Sequence, residues 1–300
     1  MRVNSNMVPD ILADLQQSQS ALNTALQEVS TGKSVSEPSD NPIASAEMVQ
    51  NTIETADVDQ YTQNITDVLA TVQSASSALS SVVSSLTQAV TLGTEAANGT
   101  NSAANLSEMA EQVQSILSSV VSQANTSVQG NYLFGGTSSS TAPYTADSTA
   151  ASGYTYNGNN GSNSVAVGDD LNVQVNLPGS QIFSNSSNNV LGALSTLYSA
   201  LQSGNSTQIA SATSSISSTV NYVSQQQGFY GNAESQLNSQ ETTLQQDTVN
   251  LTSQENSLVG VDEATAATNL SQAETDNSAA LAAAAKVLPD TLLNYLETPS

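Results

Sequence analysis

Residues 209–258 read IASATSSISSTVNYVSQQQGFYGNAESQLNSQETTLQQDTVNLTSQENSL. Ile209, Ile216, Val223, Tyr230, Leu237, Leu244, Leu251 and Leu258 recur every seven residues without a miss. Two helical turns take about seven residues, so these eight side chains form one apolar seam on a helix. The companion row is weaker, with Val220 and Ala233 but also Gln240 and Gln254. A continuous helix here would be about 75 Å long. Gly228 and Gly231 are the places where it is expected to break.

Helical partners lie upstream. Ile65, Val72, Leu79 and Leu86 make a second seam at sevens, flanked by Val68, Leu69, Ala75, Val82 and Val83. Asn41 before Pro42 reads as an N-cap with proline in the first turn, and Asn98-Gly99 as the stop. A further helix, with Asn105 and Glu108 as a capping box, carries Leu106, Met109, Val113, Ile116, Leu117 and Val120. The segment near 7–31 is amphipathic, with Val8, Ile11, Leu15, Leu22, Leu26 and Val29 on its stripe and Gly32 after it. The last segment, near 263–297, is Ala-rich and carries Leu281, Leu288, Leu292, Leu293 and Leu296; Pro289 is expected to kink it or to start a fresh turn.

Between about 131 and 188 alternation replaces the helical period, as in Tyr154/Tyr156, Val165/Val167 and Leu171/Val173/Val175. The fold class expected is therefore mainly α. An elongated antiparallel bundle or coiled coil is built by the N- and C-terminal halves, with a small β-rich inserted domain. Three parts are expected: 1–42 with 262–300 as a terminal coiled coil, 43–130 with 189–261 as a long bundle, and 131–188 as the β-rich part.

Composition narrows the chemistry. The chain holds 26 acidic residues against three basic ones (Arg2, Lys33 and Lys286), for a formal net charge of −23. Nucleic acid binding requires clustered cations, so it is not expected. There is no run of apolar residues long enough to insert in a membrane, and the N-terminus lacks the apolar core of a cleaved signal peptide. With no His and no Cys, Ser–His–Asp and Cys–His nucleophiles and thiolate metal sites are excluded. Carboxylate pairs remain (Asp169/Asp170, Asp57/Asp59, Asp262/Glu263), each read more simply as a turn or an exposed helix face. GNNGSN (158–163) lacks the paired Asp residues of a calcium loop and reads as a hairpin turn. No cofactor, metal or enzymatic activity is expected.

Three motifs carry a resemblance: STGKSVSEPSDNPIA (30–44), GNYLFGGTSSSTAPY (130–144) and AAKVLPDTLLNYLE (284–297), with QIF (181–183) closing the β part. Together with the helix order, these resemble the flagellin superfamily of bacterial axial proteins over essentially the whole chain. Pro38 and Pro42 resemble the branch that joins hook to filament more than the filament subunit, flagellin, which is the alternative. The chain departs from the family pattern in running on through Glu297 to Pro299 and Ser300, and in its scarcity of basic residues.

The resemblance implies a structural protein of the extracellular flagellum, exported by the flagellum's own type III route without a cleaved signal. It implies terminal helices that are disordered before assembly and then form an axial coiled coil. Expected partners are further copies in a ring, the preceding hook-associated protein, flagellin and an export chaperone. The subunit-interface residues expected from stripe and position are Val8, Ile11, Leu15, Leu22, Leu26 and Val29, with Leu281, Leu288, Leu292, Leu293 and Leu296.

Overall fold

The computed structural model describes residues 7–296, and their side chains from 9 to 286. Among the described residues seven helices and six short strands follow one another: α1 (Met7–Thr31), α2 (Pro42–Ala96), α3 (Ala103–Ala124), β1 (Ser127–Val128), β2 (Asn131–Tyr132), β3 (Tyr144–Ala146), β4 (Tyr154–Tyr156), β5 (Ser164–Ala166), β6 (Asn172–Gln174), α4 (Gly179–Ile182), α5 (Val190–Ser203), α6 (Ser206–Val259) and α7 (Glu263–Leu296). The chain divides into two compact units: residues 58–245, and a second unit made of 1–57 with 246–300.

In the unit formed by 58–245, the seven-residue seams become the core. Ile65, Val72, Leu79 and Leu86 of α2 and Ile216, Val223 and Leu237 of α6 have no exposed surface. Gly93 shows how closely these two helices approach: a Cβ there would lie 2.1 Å from Thr213 Oγ1, so a larger residue would force the Thr213 side chain to move. α6 runs unbroken past Gly228 and Gly231, where the sequence suggested an interruption. Tertiary packing on both sides overrides the weak helix propensity of glycine.

The stretch from 190 to 260 holds two helices. Gly204 takes a left-handed conformation (φ +69°) that ends α5, and Asn205 then caps α6, its Oδ1 accepting from the N–H groups of Thr207 and Gln208 at 3.1 Å. α5 packs on α3. Ser102, not Asn105, is the N-cap of α3: its hydroxyl accepts the Asn105 N–H at 3.2 Å.

The β-rich segment is three separate antiparallel hairpins, β1–β2, β3–β4 and β5–β6, with no larger sheet. Its inward residues join the helical core through an aromatic cluster. Phe183 meets Phe134 edge-on with ring centroids 5.3 Å apart and Tyr144 at 5.9 Å; Phe134 meets Tyr230 of α6 at 6.5 Å. The Tyr144 hydroxyl donates to the Gly179 carbonyl at 2.9 Å, and the Tyr230 hydroxyl accepts the Leu177 N–H at 3.1 Å. Burial pushes both phenols up, well above the ordinary tyrosine range, so they remain neutral in the folded chain. Tyr230→Phe is expected to leave the Leu177 N–H buried and unpaired, lowering stability by about 1–3 kcal/mol in denaturant titration.

The second unit holds α1, the first turns of α2, the last turns of α6, and α7. Asn41 caps α2 as expected, its Oδ1 accepting the Ala44 N–H at 3.1 Å. Asp262 caps α7, accepting from the Ala264 N–H at 3.2 Å and the Thr265 hydroxyl at 2.8 Å. A backbone clip ties the two interhelical links together: Ser34 N–H donates to Val259 O at 2.7 Å and Val261 N–H to Gly32 O at 3.0 Å. The backbone of α7 is helical through Pro289, so no fresh turn starts there.

Candidate assembly surface

α1 ends and α7 begins at the clip, so the two helices run antiparallel, and they pack on each other. The covered positions along each helix define the seam. On α1 they are Ile11, Leu15, Ser18, Leu22, Ala25 and Glu28; on α7 they are Ala284, Ala280, Asn277, Ala273, Leu270 and Ala266. All other described side chains of α1 and α7 are exposed. Taken in this order from the open end to the clip, a larger residue on one helix stands level with a smaller one on the other in most layers. Such pairing lets the helices approach closely while keeping the volume of each layer nearly constant.

The sequence-derived interface residues divide between two roles. Ile11, Leu15 and Leu22 are half-buried in the seam. Leu26, Val29 and Leu281 point away from it and are 46%, 44% and 50% exposed. The side chains of Val8, Leu288, Leu292, Leu293 and Leu296 lie outside those described.

The sequence reading missed the α7 face that packs on α1, because it followed leucines. The signal was present as two rows at sevens, Ala266/Ala273/Ala280 and Leu270/Asn277/Ala284, four of whose six residues are alanine. It also missed Ile43, Val49, Ile53 and Val249, which with Leu12 are exposed on the same unit. Nine large apolar side chains are exposed among the described residues, and eight belong to this unit; Leu171 is the exception. Scattered apolar exposure is ordinary on a protein surface, but its confinement to one unit is not.

The charge on this surface is almost wholly negative. A groove of about 680 Å³ between α1 and α7 is lined by Asp14, Glu28 and Asp276 together with Ala21, Ala25 and Ala273. The one salt bridge among the described residues, Lys33–Glu255 at 2.8 Å, lies beside the clip and is about two-fifths exposed. An ion pair so placed contributes about 0–1 kcal/mol, so the backbone clip and the buried Asn51 side chain hold this end more firmly. Asn51 Nδ2 donates to Leu251 O at 3.0 Å, joining α2 to α6.

Asp169 and Asp170 are exposed in the turn between β5 and β6, and Asp262 is the α7 cap described above. In the 158–163 turn, Asn159 Oδ1 accepts the Thr137 N–H at 2.8 Å and the Gly161 N–H at 3.0 Å, so its oxygen serves the loop itself.

An arrangement in which the two ends of the chain form one helical unit has known counterparts. Residues 3–139 match the family model of the bacterial flagellin N-terminal helical region, and residues 213–296 match that of the bacterial flagellin C-terminal helical region. The chain belongs to the bacterial flagellin family. Among relatives of this flagellin-family chain, the flagellar hook-associated protein 3 of Escherichia coli strain K12 is 33% identical over 122 residues, which span 40% of this chain and 38% of that protein.

Solved structures share the fold. A chain described as a flagellar hook-associated protein of Vibrio parahaemolyticus aligns at TM-score 0.67 and 22% identity, covering 74% of this chain and 100% of its own. FlgL of Bacillus cereus aligns at 0.60 and 23%, covering 69% and 99%. The flagellar junction protein FlgL of Legionella pneumophila aligns at 0.60 and 15%, covering 71% and 100%.

Proposed function

We propose that this flagellin-family chain is a non-catalytic subunit of the bacterial flagellum that joins the hook to the filament. The observation that carries the proposal is the gathering of nearly all exposed large apolar side chains onto the unit built from both chain ends. A surface of that kind is suited to burial against further copies of itself and against neighbouring axial proteins. Copies joined by heterologous contacts close into a ring, one face of which meets the preceding hook-associated protein and the other flagellin. The relative named hook-associated protein 3 favours the junction over the filament subunit, as do Pro38 and Pro42.

Before assembly the terminal helices are loosely held, because a two-helix seam rich in alanine buries little. Ordering each residue costs about 1–2 kcal/mol in backbone entropy, and an isolated pair of this composition offsets little more than that. An export chaperone would shield the same surface in the cell, and passage through the flagellar export channel would place the chain outside it. Neither nucleic acid nor membrane insertion belongs to this role: the balance of −23 repels phosphates, and among the described residues no helix is long and apolar enough to cross a membrane.

The same charge makes association sensitive to salt. Copies of an acidic chain repel one another over the Debye length, about 10 Å at 0.1 M salt and about 3 Å at 1 M. Self-association measured by sedimentation is expected to strengthen as salt rises through that range.

Labelling native flagella with an antibody to this chain tests the assignment. A narrow band just beyond the hook is expected, and a deletion strain should keep its hooks while shedding flagellin into the medium. Label along the whole propeller would replace the junction reading with that of the filament subunit.

A further inference from the structure

Two buried side-chain oxygens of the described residues have no hydrogen-bond partner, Ser18 Oγ and Asn277 Oδ1. They belong to facing helices of one unit, Ser18 on α1 and Asn277 on α7. Counted from the clip, each is the fourth covered position of its helix, which puts them in the same layer of the seam. Ser18 also lines the groove alongside Asp276, the neighbour of Asn277. Asn277 is only 8% exposed. At the corresponding positions elsewhere in the seam, Ala25 pairs in order with Leu270 and Leu22 with Ala273, apolar with apolar. The single layer with a polar residue on both helices is thus the layer whose oxygens are left unsatisfied.

A buried polar pair at a seam position acts in two ways. It lowers the stability of the helix pair, because desolvated oxygens have given up water without gaining a donor. It also fixes the register, because sliding either helix would set a polar group against an apolar one.

We propose that Ser18 and Asn277 are specificity-determining residues for assembly: they hold the free α1–α7 pair in one register but below its attainable stability, so that it opens and repacks when further copies arrive. The inference rests on the assembly role proposed above and assigns its control to one layer. Neither Ser18 nor Asn277 belongs to the core of the other unit.

The test is the full-length double variant Ser18→Ala with Asn277→Leu, which gives this layer the Ala–Leu composition already present at Ala25 and Leu270. Amide hydrogen exchange on the dilute chain reads the pair, and sedimentation at high concentration reads association. Protection of α1 and α7 is expected to rise at least tenfold while association weakens at least tenfold. Protection that is unchanged or lower overturns the proposal, and so does raised protection with undiminished association. Asn277→Ala alone, which removes one orphaned oxygen without adding volume, should raise protection by a smaller factor; a fall in both variants overturns the proposal. A wild-type chain that stays monomeric under all conditions would refute the assembly role instead, while the exchange data would still judge the polar layer.

Discussion

Leu26→Asp combined with Leu281→Asp is expected to abolish self-association while leaving the isolated chain as stable as the wild type. Both leucines are about half exposed and point away from the α1–α7 seam. Substitutions at such positions change folding stability by about 0.5 kcal/mol or less. In an assembled interface the exposed half of each side chain would be covered, contributing about 0.7–1.5 kcal/mol of apolar burial apiece. Losing both reduces association by roughly 10- to 100-fold, and burying two carboxylates in an already acidic surface costs considerably more. Thermal unfolding and sedimentation on the same sample separate the two effects. A double variant that assembles normally would show that these leucines do not face a neighbour.

Phe183→Ala is expected to produce the largest loss of stability of any single change considered. Phe183 has no exposed surface and stacks edge-on against both Phe134 and Tyr144. Truncating a buried aromatic costs about 3–5 kcal/mol, a large share of the 5–15 kcal/mol that holds a typical domain. Because Phe134 in turn contacts Tyr230, the cavity would loosen the junction between the β hairpins and α6. Denaturant titration with tyrosine fluorescence should show the drop in midpoint. A loss under 1 kcal/mol would mean that the cluster is not the joint between hairpins and helices.

The fold was legible wherever a repeat was long. Eight apolar residues at sevens in α6 leave a helix as the only economical solution, and six of them are buried in the core of one unit. Pattern was less informative at breaks. Gly228 and Gly231 look like stops in isolation, yet packing on either side carries the helix through them, whereas Gly204 does end a helix because its backbone turns left-handed. The motif 130–144 marks the entry to the β part but does not reveal that Phe134 and Tyr144 reach back to Tyr230 and Phe183, contacts that span long stretches of sequence.

The candidate surface was half visible. Ile11, Leu15 and Leu22 stood out as large residues on a stripe, but a stripe does not say which members face the partner helix and which face solvent. The structure separates them from Leu26, Val29 and Leu281. The α7 seam escaped notice because alanine carries little hydrophobic signal, although close helix packing depends on small side chains. Ser18 and Asn277 could not have been singled out at all: an unsatisfied oxygen is a property of the folded layer and not of residue type.

The central claim is that the unit built from the two chain ends becomes firm only when copies surround it. Hydrogen exchange compared between the dilute wild-type chain and its assembled form tests this most directly. Amides of α1 and α7 should exchange rapidly in the dilute chain, while those of α3, α5 and the Tyr230 region stay protected, and α1 and α7 should become slow only after assembly. Full protection of α1 and α7 in the dilute monomer would contradict the account.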